Sequence, residues 1–419
     1  MTLATTYLVL AVLGLAFSVL TFARVRVSQQ LLIPTFVIGW LRGELALQTI
    51  AFEAVVTLVL GQAGAFDATA GRLGLVLTVI SWGLLVAVHR RAHAAGREIA
   101  DALEPIGRAA AAGLPFFHRF LGAFSFSHPD VQTLRDIPYG PALPGDKGRR
   151  NLLDVVLPKA AREGDRRPVL LQVHGGGWMI GDKREQGRPL MTHLASLGWV
   201  CVAINYRLSP QATMPAHIVD VKRSIAWIRR HIEEFGGDPD FVCITGGSAG
   251  GHLSALAALT ANDPAFQPGF EAVDTRLDAC VPFYGVYDFI DRANSRPLVK
   301  LADFVGPRVF KCRPEEQPEL WDAVSPITRV GRHAPPFFVI QGTHDTLVFA
   351  EEAQAFVAAM RDRSAEPVLH AELLGAQHAF DVFHSPRTTH VVLGVARFLE
   401  HVHAEFRAER ASKEAAAPA

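Results

Sequence analysis

The sequence has few cysteines, and none of them lies in a C-x-x-C pair. The four cysteines among its 419 residues are Cys201, Cys243, Cys280 and Cys312. Zinc sites and redox motifs need closely spaced cysteines, whereas isolated cysteines in apolar runs behave as small buried side chains. We therefore predict neither a metal site nor redox chemistry, and the pattern fits a reducing compartment.

Net charge is also absent. The 41 Lys and Arg residues balance the 41 Asp and Glu residues. A chain without a basic excess has no overall field that would attract a polyanion, so we predict no nucleic-acid partner. The length allows about two or three domains.

Hydrophobic residues make up 49% of the chain and are concentrated near its start. Residues 3–22 form an uncharged apolar run that is long enough to cross a bilayer as a helix. No Lys or Arg precedes this run, and Arg24 and Arg26 follow it. This distribution favours a membrane anchor over a cleaved secretory signal.

Two further apolar regions follow at residues 31–60 and 73–88, which predicts about three membrane spans. The first of them contains Arg42, Glu44 and Glu53. Ionisable groups at membrane depth indicate either a functional site or, more simply, side chains that face neighbouring helices or the membrane interface.

The basic residues predict how this region is oriented. With three spans, Arg24 and Arg26 lie on the same side of the bilayer as the arginines of residues 90–97. The positive-inside rule makes that side cytoplasmic. Residues 1–92 are thus predicted to be a multi-pass transmembrane region of the plasma membrane. The amino terminus is predicted to face outward, and the chain after this region is predicted to be cytoplasmic. The lipid bilayer is thus a predicted partner. The sequence does not indicate an oligomeric state.

Residues 93–132 are predicted to be an amphipathic connector. It contains a phenylalanine cluster that either packs between the membrane and soluble parts or forms a collar that leads an apolar substrate to a site. The cluster consists of Phe116, Phe117, Phe120, Phe124 and Phe126.

From about residue 133 the chain alternates between strand-like and helix-like segments. The strand-like runs are residues 151–157, 168–173, 199–205, 241–245, 279–284, 336–341 and 368–374. This alternation predicts an α/β domain over residues 133–408, with a mostly parallel sheet covered by helices on both faces.

Several segments of this domain have more specific predictions. A helix over residues 220–235 ends at two glycines, and the last helix covers about residues 388–407. Residues 289–335 interrupt the alternation and are predicted to be an insertion over the carboxyl edge of the sheet. Residues 409–419 are predicted to be a disordered tail.

The stretch Gly246-Gly247-Ser248-Ala249-Gly250 follows a strand and precedes a helix. In that context G-x-S-x-G predicts a sharp turn that exposes a nucleophilic serine, Ser248. Gly246 and Gly250 lack the Cβ atoms that would collide at such a turn.

A serine nucleophile needs a base, and the base needs a carboxylate to orient it. In hydrolases of this layout the acid and then the histidine follow the serine along the chain. Asp345 and His378 each follow a predicted strand in that order. Competing residues are Asp381 and Asp288 for the carboxylate, and His344 and His252, which we interpret as structural.

Three consecutive glycines follow the strand at residues 168–173. The motif His174-Gly175-Gly176-Gly177-Trp178 matches the HGGG-type loop that supplies amide donors to an oxyanion. We assign the donors to Gly176 and Gly177, with Ala249 after the nucleophile, while His174 and Gly175 support the loop. The Walker pattern is absent, so a phosphate-binding loop is excluded.

Taken together, these motifs resemble the hormone-sensitive-lipase branch of the α/β-hydrolase family. The resemblance covers roughly residues 135–405 and is carried by HGGGW at 174–178, YRLSP at 206–210, GGDP at 236–239, GGSAGG at 246–251, Asp345 and His378. It implies an α/β-hydrolase fold and cleavage of carboxylic esters through an acyl-enzyme, with no cofactor and no metal.

Two features depart from the usual family pattern. Gly247 stands where the family often has Asp, and the membrane region resembles the layout of actinobacterial membrane-attached esterases. We predict a membrane-anchored serine carboxylesterase or lipase that acts on a hydrophobic ester. The alternatives are an amidase or arylformamidase-like hydrolase that uses the same triad, and a non-catalytic membrane scaffold with a hydrolase fold.

Overall fold

The computed structural model describes residues 1–107, 122–146, 148–296 and 300–416. The helices are α1 (Leu3–Phe22), α2 (Leu32–Glu44), α3 (Ala46–Gln62), α4 (Thr69–Ala102), α5 (Arg188–Ser196), α6 (Ala216–His231), α7 (Ala249–Leu259), α8 (Leu301–Val305), α9 (Pro318–Ala323), α10 (Ala350–Arg363) and α11 (Pro386–Ala416). The strands are β1 (Val131–Pro138), β2 (Leu152–Pro158), β3 (Arg167–Val173), β4 (Val200–Ile204), β5 (Gly237–Gly247), β6 (Ala279–Phe283), β7 (Phe337–Gly342) and β8 (Val368–Leu373).

These eight strands form one sheet in the order β1-β2-β4-β3-β5-β6-β7-β8. The strands from β4 to β8 in this order pair in parallel, and β2 pairs antiparallel with both β1 and β4. The seven predicted strands and the mostly parallel sheet are confirmed. The carboxyl ends of β3, β5, β7 and β8 therefore lie along one edge, where the candidate site residues follow them.

Alternate residues of the strands pack into two separate cores. Leu171 and Ile244 point to the face that α6, α7 and α10 cover. Leu170 and Cys243 point to the opposite face, which α5, α11 and the end of α4 cover. Helices on both faces are thus confirmed, and this arrangement explains why both side-chain sets of the central strands are apolar.

The strand β1 was not predicted from the sequence. It lies at the edge of the sheet, pairs with β2 alone, and is largely exposed along the sequence VQTLRDIP. An exposed edge strand needs little apolar surface, so its composition resembles that of a loop.

The predicted helix at residues 220–235 is α6, which begins four residues earlier, at Ala216, and continues as a 3₁₀ turn over Ile232–Phe235. The insertion at residues 289–335 contains α8 and α9. Its buried rings include Phe310, which stacks on Trp321 at a centroid distance of 3.7 Å.

The predicted disordered tail is corrected by the structure. α11 continues past Arg407 to Ala416, and residues 417–419 lie outside the described residues. The extension is rich in Ala, Glu, Lys and Arg, which favour a helix. Arg410 also forms an ion pair with Asp238 at 2.8 Å, which ties the extension to the domain.

Two described helices, α1 and α4, are long and apolar enough to cross a membrane. The apolar region between them is a helix pair, α2 and α3, bent by 92° at Leu45. The pair raises the number of candidate crossings within the described chain to three if it counts as one. The bend was not predicted.

On both sides of the bend, polar side chains contact the neighbouring helices. The Tyr7 hydroxyl of α1 lies within hydrogen-bond distance of the hydroxyls of Thr57 in α3 and Thr78 in α4, so α3 runs alongside α1 and α4. The Arg42 guanidinium donates to Glu53 at 2.9 Å and to Ser18 at 2.8 Å. The ionisable pair in this apolar region therefore faces neighbouring helices, which is the simpler of the two interpretations.

The predicted boundary between residues 92 and 93 falls inside α4. The helix continues to Ala102 because the sequence after Val88 contains many helix formers and no proline. Ala95 and Ile99 belong to the core that also contains α11. Of the predicted phenylalanine cluster, Phe116, Phe117 and Phe120 lie outside the described residues.

Candidate active site

Ser248 lies at the turn between β5 and α7. Its backbone has φ of +59° and ψ of −122°, a conformation that non-glycine residues rarely adopt. Its amide donates to the carbonyl of Phe283 at 3.0 Å. Ser248 is partly exposed while both of its neighbours are buried. The predicted strand–turn–helix context of this serine is confirmed.

The glycines of this turn allow it to pack against the end of β3. A Cβ atom on Gly250 would lie 2.1 Å from the carbonyl oxygen of Val173, and one on Gly246 would lie 2.5 Å from the same oxygen. Both distances are too short for any side chain. The turn at Ser248 therefore packs directly against the strand that leads into the HGGGW loop.

His174 begins that loop and is fixed by Tyr206. The two rings stack at a centroid distance of 4.4 Å, and the Tyr206 hydroxyl donates to the His174 carbonyl at 3.0 Å. Burial lowers the pKa of His174 to about 4, so its ring is neutral near pH 7. The YRLSP motif thus holds the HGGGW loop in place through the contact of Tyr206 with His174.

The three glycine amides of the loop differ in their partners. Gly175 donates its N–H to the Gln186 side chain at 2.7 Å. Gly176 and Gly177 are partly exposed, have φ of +115° and +60°, and donate to no acceptor within the described parts of the chain. Ala249 begins α7, where amides lack partners inside the helix. The three predicted donors are thus amides suited to bind an anion.

His378 and Asp345 contact each other directly. Nδ1 of His378 lies 2.7 Å from Oδ2 of Asp345, and both side chains are buried. The other carboxylate oxygen, Oδ1, accepts the amides of Leu347 and Val348, each at 2.8 Å. Gln341 also donates to Oδ2. These bonds hold the carboxylate in one orientation, and the carboxylate in turn orients the imidazole.

A second carboxylate, Asp381, is close by but has another partner. It accepts a short hydrogen bond from the Tyr284 hydroxyl. Burial raises the pKa of Asp381, and the bond from Tyr284 opposes this shift. The structure thus brings Asp345 to His378, whereas Asp381 is bonded to Tyr284.

Tyr284 also links the serine turn to the histidine. A Cβ atom on Gly247, next to Ser248, would lie 2.6 Å from the Tyr284 hydroxyl oxygen. The ring of Tyr284 lies 4.5 Å from that of His378, measured between centroids. Tyr284 thus fills the space beside Gly247, the position where related sequences often have Asp, and contacts the imidazole. Sequence reasoning missed this residue, since no motif marks it.

The remaining competitors have structural partners. His252 accepts from the Trp178 indole and contacts the Val324 carbonyl. His344 contacts the Phe22 carbonyl of α1 at 3.3 Å. Asp288 pairs with Arg292. Within the described ranges no cluster of three or more His, Cys, Asp or Glu side chains is arranged to hold a metal ion.

The loop that carries His378 also contacts α2, which the sequence did not predict. The Trp40 indole donates to the Ala379 carbonyl at 2.8 Å, and the Phe36 ring lies edge-on to His378 at 5.8 Å. Glu44 accepts from Arg387 at 3.0 Å and from Ser385 at 2.6 Å. No sequence signal connects residues so far apart along the chain.

Comparisons with known proteins show which sequences and structures this chain is similar to. The BD-FAE family model matches residues 153–360. The chain is 44% identical to the probable carboxylic ester hydrolase LipM of Mycobacterium tuberculosis, over 82% of this chain and 83% of LipM. It is 51% identical to esterase LipQ of the same organism, over 63% of this chain and 61% of LipQ.

Among solved structures, esterase B from Lactobacillus rhamnosis superposes with a TM-score of 0.55 at 22% identity. The match covers 68% of this chain and 90% of esterase B. At this identity the similarity concerns the fold of the sheet and its helices.

Proposed function

The chain belongs to the hormone-sensitive-lipase-like carboxylesterases and is a carboxylic ester hydrolase, and from this premise we propose that it cleaves esters through an acyl-enzyme on Ser248. The proposal rests mainly on one observation: His378 Nδ1 lies 2.7 Å from Oδ2 of Asp345. Tyr284, whose ring contacts this imidazole, also lies beside Gly247 in the turn that exposes Ser248. A histidine held in this way has its Nε2 free to act as a base.

In the first half of the reaction, Nε2 of His378 takes the proton of Ser248 while Oγ bonds to the ester carbonyl carbon. The carbonyl oxygen becomes an oxyanion, which the amides of Gly176, Gly177 and Ala249 stabilise. His378 then gives its proton to the alcohol oxygen as the C–O bond breaks. The alcohol leaves, and the acyl group stays on Ser248.

In the second half, water attacks the acyl carbon and gives its proton to His378. The second oxyanion collapses, the bond to Ser248 breaks, and His378 returns the proton to Oγ. The carboxylic acid is released. Throughout, Asp345 holds the imidazole in one tautomer and stabilises its charged form, while Gly246 and Gly250 allow the turn and His174 and Gly175 position the loop.

We also propose that residues 1–92 anchor the enzyme in a bilayer through α1, α3 and α4. Large apolar side chains on these helices are exposed, for example Val12, Phe52 and Val79. The basic side chains Arg24 and Arg91 lie at the end nearest the catalytic domain, where Arg91 donates to the Phe22 carbonyl and Arg24 pairs with Glu351. The positive-inside rule puts that end, and the catalytic domain, in the cytoplasm.

A site next to a bilayer favours a hydrophobic or lipid-like ester, since such substrates are concentrated there. The direct test is hydrolysis of p-nitrophenyl acetate, butyrate, octanoate and palmitate by the full chain in detergent, compared with Ser248→Ala. We expect activity in the wild type and its loss in the variant, with unchanged far-UV circular dichroism. Activity that survives in Ser248→Ala would rule out this nucleophile.

A further inference from the structure

α2 is attached to the loop that carries the candidate catalytic histidine. Trp40 bonds to Ala379, and Glu44 is buried against Arg387. Gly39 lies so close to Gln377 that a Cβ atom there would come within 3.1 Å of its amide nitrogen. The helix thus contacts residues on both sides of His378.

The opposite side of α2 is apolar and exposed. Ile33, Val37 and Leu41 recur at a spacing of four and have exposed fractions of 60%, 38% and 39%. The inward positions Thr35 and Gly39 are buried. α3 turns away from α2 by 92°, and Gly43 of α2 lies beside Thr21 near the end of α1, so we infer that α2 crosses that end of the bundle. A helix with this outer face is suited to the boundary between a bilayer and water.

Four aromatic side chains, which we call the aromatic row, extend from His378 along this boundary. Phe36 lies edge-on to His378, and Trp40 stacks on Phe36 at 5.7 Å. Phe383 stacks on Trp40 at 5.1 Å, and Phe124 lies edge-on to Phe383 at 5.9 Å. The row consists of Phe36, Trp40, Phe383 and Phe124, and none of these side chains is fully buried.

We propose that the aromatic row binds the apolar alcohol portion of a bilayer-borne ester, so that α2 forms part of the active site. The inference rests on the ester hydrolysis proposed above and adds which part of the substrate determines specificity. His378 gives its proton to the leaving alcohol oxygen, so that oxygen must come within hydrogen-bond distance of the imidazole. Phe36, which contacts this imidazole, is therefore the member of the aromatic row that an apolar alcohol chain meets first.

The test uses the full chain in detergent and two matched series of esters. In the first series, ethyl, butyl and octyl acetate vary the alcohol, and in the second, p-nitrophenyl acetate, butyrate and octanoate vary the acyl group. We expect Phe36→Ala to lower the octyl-to-ethyl ratio of kcat/KM by about tenfold. A tenfold change corresponds to about 1.4 kcal/mol of lost apolar contact. The octanoate-to-acetate ratio is expected to stay at the wild-type value.

Two variants serve as controls. Phe52→Ala removes the same ring from α3, where Phe52 is 70% exposed and does not belong to the aromatic row, so both ratios should match the wild type. Phe36→Leu keeps an apolar side chain and should restore most of the octyl-to-ethyl ratio. Its activity would also show that the chain folds without the aromatic ring at this position.

The outcomes separate this inference from the proposed function. An unchanged octyl-to-ethyl ratio in Phe36→Ala, or a change along the acyl series alone, overturns the inference while Ser248→Ala still tests the nucleophile. An equal loss on every ester that Phe36→Leu fails to restore also overturns it, because α2 would then only hold the loop. Full activity of Ser248→Ala overturns the proposed function itself.

Discussion

The hydroxyl of Tyr284 donates a hydrogen bond to the carboxylate of Asp381, three residues after His378. This bond engages the second acid near the imidazole and leaves Asp345 as the carboxylate that contacts it. The site therefore contains two carboxylates with different partners, and substitutions can tell their roles apart.

Replacing each acid by its amide should give very different results. Asp345→Asn removes the charge that stabilises the imidazolium and favours the wrong tautomer, so we expect kcat to fall by about 10⁴-fold. Asp381→Asn keeps an acceptor for Tyr284, so we expect a loss of less than about tenfold in kcat. Steady-state hydrolysis of p-nitrophenyl butyrate measures both. A larger loss in Asp381→Asn than in Asp345→Asn would reverse the assignment.

The proposed role of the HGGGW loop in binding the oxyanion can be tested by adding one methyl group. In Gly176→Ala the new Cβ atom would lie 2.2 Å from the Ile180 carbonyl oxygen, so the loop must move and displace its donors. We expect kcat to fall by about 10²-fold or more, the loss typical of one missing oxyanion donor.

Gly269→Ala is the matched control for this change. Gly269 also has a positive φ, +80°, but a methyl group there would meet no described atom within 4 Å, and the residue lies outside the site. Placing alanine at this positive φ costs about 1 kcal/mol, so the free energy of unfolding should fall without a comparable loss of kcat. Equal losses of kcat in the two variants would contradict the proposed role of Gly176.

The ion pair between Glu44 and Arg387 is expected to stabilise the contact between α2 and the catalytic domain. Both side chains are almost completely buried, so Glu44→Ala leaves a buried guanidinium without its carboxylate, at a cost of about 3–5 kcal/mol. Thermal unfolding in detergent should show a lower Tm by several degrees.

Glu351 provides a more exposed counterpart, since it pairs with the half-exposed Arg24 and Arg26 across the same boundary. Exposed ion pairs contribute about 0–1 kcal/mol, so Glu351→Ala should change the Tm little. A Tm of Glu44→Ala that equals that of Glu351→Ala would show that the buried pair contributes little.

Asp278 should make stability depend on pH. Burial raises the pKa of its carboxyl to about 6, and the hydrogen bond from the Val242 amide and the charges of Arg229 and Arg276 oppose this shift. The folded state then holds the proton more tightly than the unfolded state, whose pKa is about 4. The stabilisation is therefore complete below about pH 4 and is lost as the pH rises towards 6.

Asp278→Asn removes this titration and can keep an acceptor for Val242. We expect its Tm to exceed that of the wild type at pH 7.5 and to match it near pH 4, with a difference on the order of 1 kcal/mol in the free energy of unfolding. Thermal unfolding at a series of pH values measures this difference. A constant difference across the range would show that Asp278 is not responsible.

Local patterns predicted much of the catalytic domain. Seven strands and the turn at Ser248 follow from short apolar runs and glycine spacing, because the constraints lie within a few residues. The edge strand β1 has no such pattern, since its exposed side chains resemble those of a loop.

The contacts of α2 could not be predicted for a different reason. Phe36 and His378 lie far apart in sequence, and an apolar helix near the amino terminus is first interpreted as part of an anchor. Its bend at Leu45 and its packing on the histidine loop depend on tertiary contacts such as that of Gly39 with Gln377. Tyr284 was missed for the same reason, because it becomes part of the site only when β6 is paired between β5 and β7.

The most direct test of the central claim is covalent labelling of the full chain with a p-nitrophenyl alkylphosphonate, followed by intact-mass and peptide mass spectrometry. The mechanism predicts one phosphonyl group per chain, located on Ser248, with release of one p-nitrophenol and complete loss of esterase activity. His378→Ala should label far more slowly, because the base is missing. A label on another residue, or full esterase activity after Ser248 is labelled, would contradict the account.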